Sequence, residues 1–99
     1  MGLESRFEQA VREACIQVQH AGYYPSRFIE KMDRIGAVAY AKQLVTSGEL
    51  QSGLRRLKEL ELLDLSIEHF VGRDPDFASL FTKGERDAAN WRLDQIEME

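Results

Sequence analysis

The sequence predicts an all-α fold, a compact single-domain orthogonal bundle of five to six short helices. Apolar side chains recur at the three- and four-residue intervals of a helix in several segments. Glycine, proline and capping residues separate these segments, and no segment shows the sustained alternation of a strand. At 99 residues with 43% hydrophobic content, the chain has the length of one domain and suits one modest core. Residues 1–99 are therefore predicted to form a single helical domain.

The first half of the chain is predicted to form three helices. Over residues 3–20 the apolar residues fall on one helix face, namely Phe7, Val11, Ala14 and Val18. Gly22 provides a C-terminal stop for this helix. A second helix opens at Pro25-Ser26, and Gly36 marks either its end or a kink. A third helix over residues 37–46, separate from the second or continuous with it, is closed by Ser47-Gly48.

The second half is also predicted to be helical. A fourth helix covers residues 51–60, with Ser52 as its N-cap and a narrow seam of leucines three residues apart. Ser66 caps a short fifth helix. Thr82 and Glu85 have the Thr-x-x-Glu spacing of a capping box, which predicts a last helix that runs from there to about residue 97.

The predicted core follows from the apolar faces of these helices. In the last helix the spacing allows either Trp91 or the stem of Arg92 to turn inward, and Trp91 is the residue assigned to the core. The full set of predicted core residues is Phe7, Val11, Phe28, Met32, Leu44, Leu57, Leu60, Leu65, Phe70, Phe81, Trp91 and Leu93.

Charge and composition argue against several classes of function. The net charge of −4 disfavours a general polyanion binder. The surplus of acidic residues lies in residues 74–99, which carry seven acids and three bases, whereas residues 1–73 carry ten of each. No apolar stretch approaches the roughly 20 residues of a membrane span. Residues 1–9 carry Glu4, Arg6 and Glu8 and so lack the apolar region of a signal peptide. The single cysteine cannot form an internal disulfide, and we expect a cytoplasmic protein.

No residue pattern predicts a catalytic, cofactor-binding or metal-binding site. His20 and His69 lack further ligands at the spacings that zinc sites use. Cys15 lies late in a helix beside the apolar face, which favours a buried, inert thiol over a nucleophile. The isolated glycines lack the Lys-Ser/Thr partner of a phosphate loop. We therefore expect a non-enzymatic protein without a cofactor.

Residues 37–65 have the layout of a helix-turn-helix, in which the second helix carries Arg55, Arg56 and Lys58. Phosphate contact by Lys58 and base contact by Arg55 or Arg56 would place this helix in the major groove of DNA. The segment 52–63 resembles the recognition helices of winged-helix regulators. Against this interpretation, an amphipathic helix needs polar outer residues in any case, and no wing of strands is predicted after it.

A run of features covers residues 36–93: Gly36, Ala41, Lys42 and Leu44, then Ser52-Gly53-Leu54, Leu57 and Glu59-Leu60, then Leu63-Asp64-Leu65-Ser66-Ile67-Glu68, then Leu80-Phe81-Thr82. This run resembles a pattern in small uncharacterised bacterial all-helical proteins and accessory domains. The resemblance implies a helical fold and a bacterial cytoplasmic setting. It implies no activity and no site residues.

The leading functional prediction is a non-enzymatic helical binding or accessory module that contacts another protein or a second copy of itself. This prediction rests on a compact, well-capped fold that shows no catalytic, cofactor-binding or metal-binding pattern. The alternative is a helix-turn-helix-like DNA-binding protein that uses the basic helix 51–60. The pair Tyr23-Tyr24 and the cluster Phe77, Leu80 and Phe81 are candidate partner anchors, with packing in the core or in loops as the preferred interpretation. No membrane contact is expected.

Overall fold

The structure, a computed structural model, describes residues 2–47 and 52–99. These residues form six α-helices and two 3₁₀ helices, joined by short loops. They are α1 (Leu3–His20), α2 (Ser26–Ile35), α3 (Ala37–Val45), α4 (Ser52–Glu59), a first 3₁₀ helix (Leu63–Leu65), α5 (Ile67–Gly72), a second 3₁₀ helix (Pro75–Leu80) and α6 (Lys83–Met98). These residues contain no strand, so the all-α prediction is confirmed. The predicted helix start at Gln51 and the turn residue Gly48 lie outside the described residues.

Local signals set several of the helix ends as predicted. At the start of α6, the Thr82 hydroxyl accepts from the Glu85 amide at 3.1 Å, and the Glu85 carboxylate accepts from the Thr82 amide at 2.8 Å. This reciprocal pair is the capping box. The Ser66 hydroxyl accepts from the His69 amide and caps α5. Gly36 has φ +95°, a conformation that favours glycine, and it ends α2 before α3 begins.

The main core cluster is centred on Phe7, which is fully buried. Its ring packs edge-to-face against Phe70, Phe77 and Phe81, with centroid distances of 6.4, 5.3 and 5.3 Å. Such aromatic pairs stabilise a core beyond the area that they bury. Because Phe70 belongs to α5 and the other two rings come from the second 3₁₀ helix and its end, this cluster joins α1 to the second half of the chain.

A smaller cluster holds α4 in place. Leu54 packs with Leu93 and Ile96 of α6, and Leu63 of the first 3₁₀ helix lies against them. The described chain has a radius of gyration of 12.4 Å, close to the roughly 13 Å expected for a compact domain of about 100 residues. None of the helices in the described part of the chain is long and apolar enough to cross a membrane.

The assignment of Trp91 to the core is wrong, because its side chain is 51% exposed. The buried residues of α6 are Ala89, Arg92, Leu93 and Ile96. At about 100° per residue, Trp91 lies roughly on the opposite side of the helix from Ala89 and Ile96, which are fully buried. Five other predicted core residues are only partly buried: Phe28, Leu57, Leu60, Leu65 and Phe70. The remaining six are buried as predicted.

Candidate interaction surfaces

Both arginines of the predicted DNA-contacting helix are bound by carboxylates of the chain itself. Arg55 donates through Nε and Nη2 to the two carboxylate oxygens of Glu99, at 2.9 Å each. This bidentate contact lowers the pKa of the Glu99 carboxyl. Arg56 donates to Glu59 at 3.0 Å. A DNA phosphate would have to displace these exposed carboxylates from the arginines.

Helix α4 packs mainly on α6 and on the first 3₁₀ helix. Lys58 is half-buried and takes part in no ion pair among the described residues. Arg55 and Arg56 therefore bind carboxylates of the chain itself, and contact of α4 with DNA stays a prediction.

An ion pair inside the protein joins α6 to α5. Arg92 Nε donates to Glu68 Oε2 at 2.9 Å, and the two side chains are 1% and 3% exposed. Arg92 Nη1 also lies 3.4 Å from Ser47 Oγ, at the end of α3. Burial raises the pKa of the Glu68 carboxyl, while the hydrogen bond and the charge of Arg92 act in the opposite direction. The pair thus links α6 to α5 and to the end of α3 from within.

The outward side of α6 carries a surface that we call the Trp91 face: Asp87, Trp91, Asp94 and Met98. Trp91 is 51% exposed and Met98, two turns later, is 79% exposed. Lys83 contacts Asp87 at 2.8 Å, and Arg73 contacts Asp94 at 3.2 Å. The face therefore combines a large aromatic ring and a thioether with two flanking carboxylates.

The sequence contains a signal for this face that the apolar spacing alone did not reveal. Asp87 lies four residues before Trp91 and Asp94 three residues after it, so all three share one side of the helix. Turning Trp91 inward would therefore turn two carboxylates inward with it. Arg92 has Ala89 and Ile96 at the equivalent helical distances, and its stem fits the apolar side.

A cavity of about 290 Å³ lies between α1, α2, α3, α4 and the start of α5. Its walls are mostly apolar, formed by Val11, Cys15, Val18, Pro25, Phe28, Leu44, Leu54, Leu57, Leu65 and Ile67. Its polar lining residues are Tyr23, Tyr40, Ser66 and Glu68, and two cations of α2, Arg27 and Lys31, also line it. Burial raises the pKa of the Tyr40 hydroxyl, and the nearby Glu68 charge raises it further.

The candidate anchors from the sequence are divided between surface and core. Tyr24 is 70% exposed and Tyr23 is half-buried in the cavity wall. Phe77 and Phe81 are buried in the main core.

His20 is exposed at the end of α1, and His69 is half-buried in α5 with its ring 6.3 Å from that of Phe70. Within the described residues, no three His, Cys, Asp or Glu side chains are grouped so that they could hold a metal ion.

Cys15 is 8% exposed, and burial raises the pKa of its thiol. Alkylation requires an accessible thiolate, so we expect iodoacetamide at pH 8 to modify Cys15 slowly in the folded protein, on the order of 100-fold more slowly than in denaturant. Mass spectrometry of quenched time points measures both rates. Equal rates would contradict the buried position of Cys15.

No match was found to a protein-family model, to a curated protein or to a solved structure. The resemblance to small bacterial helical proteins therefore stays a prediction.

Proposed function

We propose that this protein is a non-enzymatic binding module that contacts a protein partner through the Trp91 face. The exposure of Trp91 carries the proposal. Phenylalanine side chains elsewhere in the chain, such as Phe7, Phe77 and Phe81, are buried. Tryptophan is among the residues that contribute most to binding at protein interfaces. Its place outside a well-packed core is accounted for if a partner covers it.

The rigidity of α6 supports this proposal. The capping box fixes its first turn, the buried Arg92–Glu68 pair holds its middle, and Arg73 contacts both Asp94 and Glu97 near its end. A surface that is already ordered loses little conformational entropy when a partner binds. The Trp91 face therefore needs no rearrangement before it binds.

The chemistry of the face defines the partner class. Asp87 and Asp94 flank the indole ring, and Arg73 is shared between Asp94 and Glu97. The carboxylates at this face therefore outnumber the basic side chains that contact them, and a partner segment with arginine or lysine beside an apolar side chain complements the face. A guanidinium also stacks favourably on the face of an indole. We infer a partner that presents a basic and apolar segment, which matches the acidic surplus of residues 74–99.

Site-specific photocrosslinking in source cells tests the proposal. Benzoylphenylalanine replaces Trp91 in one variant and Tyr24, an exposed aromatic residue away from α6, in a control variant. We expect a protein adduct of discrete mass at position 91 that is absent at position 24. No adduct at position 91, or the same adducts at both positions, would overturn the proposal.

The Trp91→Ala variant is expected to keep the stability of the fold. Because Trp91 lies outside both core clusters, the free energy of unfolding should change by no more than about 0.5 kcal/mol. Urea denaturation followed by circular dichroism measures this change. A loss of several kcal/mol would show that Trp91 supports the fold and that its exposure has no bearing on a partner.

A further inference from the structure

We propose that the 290 Å³ cavity between α1, α2, α3 and α4 binds a small amphiphilic carboxylate, with its anionic group toward Arg27 and Lys31. No described residue of α6 lines this cavity. The proposal therefore goes beyond the Trp91 face and stands or fails independently of it.

The balance of charges decides the sign of the ligand. Glu68 reaches the cavity, but its charge is compensated by Arg92 at 2.9 Å. Arg27 and Lys31 lie one helical turn apart on α2, and neither has an ion-pair partner among the described residues. The uncompensated charge around the cavity is therefore positive. An anion is attracted there, whereas an amine meets two like charges.

The hydroxyl groups in the cavity also suit a carboxylate. No hydrogen bond joins the hydroxyl of Tyr23 or Tyr40 to another described residue, so both are available as donors. A tyrosine hydroxyl keeps its proton at neutral pH, and burial raises the pKa of Tyr40 further. A carboxylate accepts several such hydrogen bonds at once.

The apolar walls and the volume define the rest of the ligand. Phe28, Leu54 and Leu57 contribute large apolar side chains to the lining. An apolar protein cavity of about 150 Å³ accommodates benzene. A volume near 290 Å³ therefore suits a body of about two fused rings or a short hydrocarbon chain. The ligand class is an aromatic or short-chain carboxylic acid.

Isothermal titration calorimetry with three matched probes tests the ligand class. The probes are 1-naphthaleneacetate, 2-(1-naphthyl)ethanol and 2-(1-naphthyl)ethylamine, which share a ring system and differ in charge. We expect saturable binding of the carboxylate, at least about tenfold tighter than that of the alcohol or the amine. No saturable binding of the carboxylate, or equal affinity for the amine, would overturn the proposal.

Charge-neutral variants of α2 locate the site. Arg27→Gln and Lys31→Gln should each weaken 1-naphthaleneacetate binding by roughly tenfold, as the loss of a charge-assisted contact predicts. Arg34→Gln is the matched control, because Arg34 lies on the same helix and does not line the cavity. All three residues are exposed, so the variants should fold, as circular dichroism verifies. An equal loss of affinity in Arg34→Gln would show general charge attraction and overturn the proposed site.

Discussion

The Arg92→Met variant is expected to lose about 3–5 kcal/mol of unfolding free energy, the usual cost of removing one partner from a buried ion pair. Methionine preserves the apolar stem of the side chain but leaves the carboxylate of Glu68 buried without its partner. A loss on this scale is a large share of the roughly 5–15 kcal/mol that stabilises a small domain. Urea denaturation followed by circular dichroism measures it.

Two further variants show whether this loss comes from the unpaired charge. Glu68→Leu combined with Arg92→Met removes both charges, and should recover most of the stability, because an apolar pair of similar volume often replaces a buried ion pair without loss. Arg73→Met removes an exposed arginine that contacts Asp94 and Glu97, and should cost no more than about 1 kcal/mol. An Arg92→Met variant as stable as Arg73→Met would contradict the structural role of the buried pair.

The Phe7→Ala variant is expected to cost a similar amount, about 3–5 kcal/mol, because it leaves a void at the centre of the core. Phe7 is fully buried and contacts three other phenylalanine rings edge-to-face. Ile16→Ala on the same helix is the control, since Ile16 is 53% exposed and should contribute less than about 1 kcal/mol. Equal losses in the two variants would contradict the assignment of Phe7 to the centre of the core.

The positions of the helices could be predicted largely from local chemistry. The capping box of Thr82 and Glu85, the Ser66 cap and the break at Gly36 all act within a few residues along the chain. Such signals depend on no tertiary contact, so they can be recognised in the sequence. For the 3₁₀ helix Pro75–Leu80 the sequence shows only the apolar cluster Phe77, Leu80 and Phe81, because short 3₁₀ turns have no comparable periodic signal.

The candidate surfaces depend on contacts that the sequence does not reveal. Arg55 is bound by Glu99, 44 residues away, and the sequence of its own helix gives no sign of this contact. Arg27 and Lys31 form part of a candidate binding site only because the folded chain places them at the edge of a cavity. The usual burial of large aromatic residues predicts an inward Trp91, whereas α6 buries Arg92 against Glu68 together with Leu93 and Ile96 and leaves Trp91 outside.

The buried pair connects the core to the proposed function. The inward side of α6 holds Arg92, paired with Glu68, together with Ala89, Leu93 and Ile96. Trp91 lies on the opposite side of the helix, where Asp87 and Asp94 also lie. The ion pair and these apolar residues together define which side of α6 faces outward. We propose that this orientation presents Trp91 as an aromatic anchor for a protein partner.

The most direct test is the affinity of the partner identified by crosslinking at position 91. Isothermal titration compares the dissociation constants of the unmodified protein, Trp91→Ala and the exposed control Tyr24→Ala. Loss of a dominant interface anchor costs at least about 2 kcal/mol, so we expect Trp91→Ala to bind roughly 30-fold more weakly or worse, with Tyr24→Ala unchanged. Equal affinities for all three proteins would contradict the proposed role of Trp91 in binding the partner.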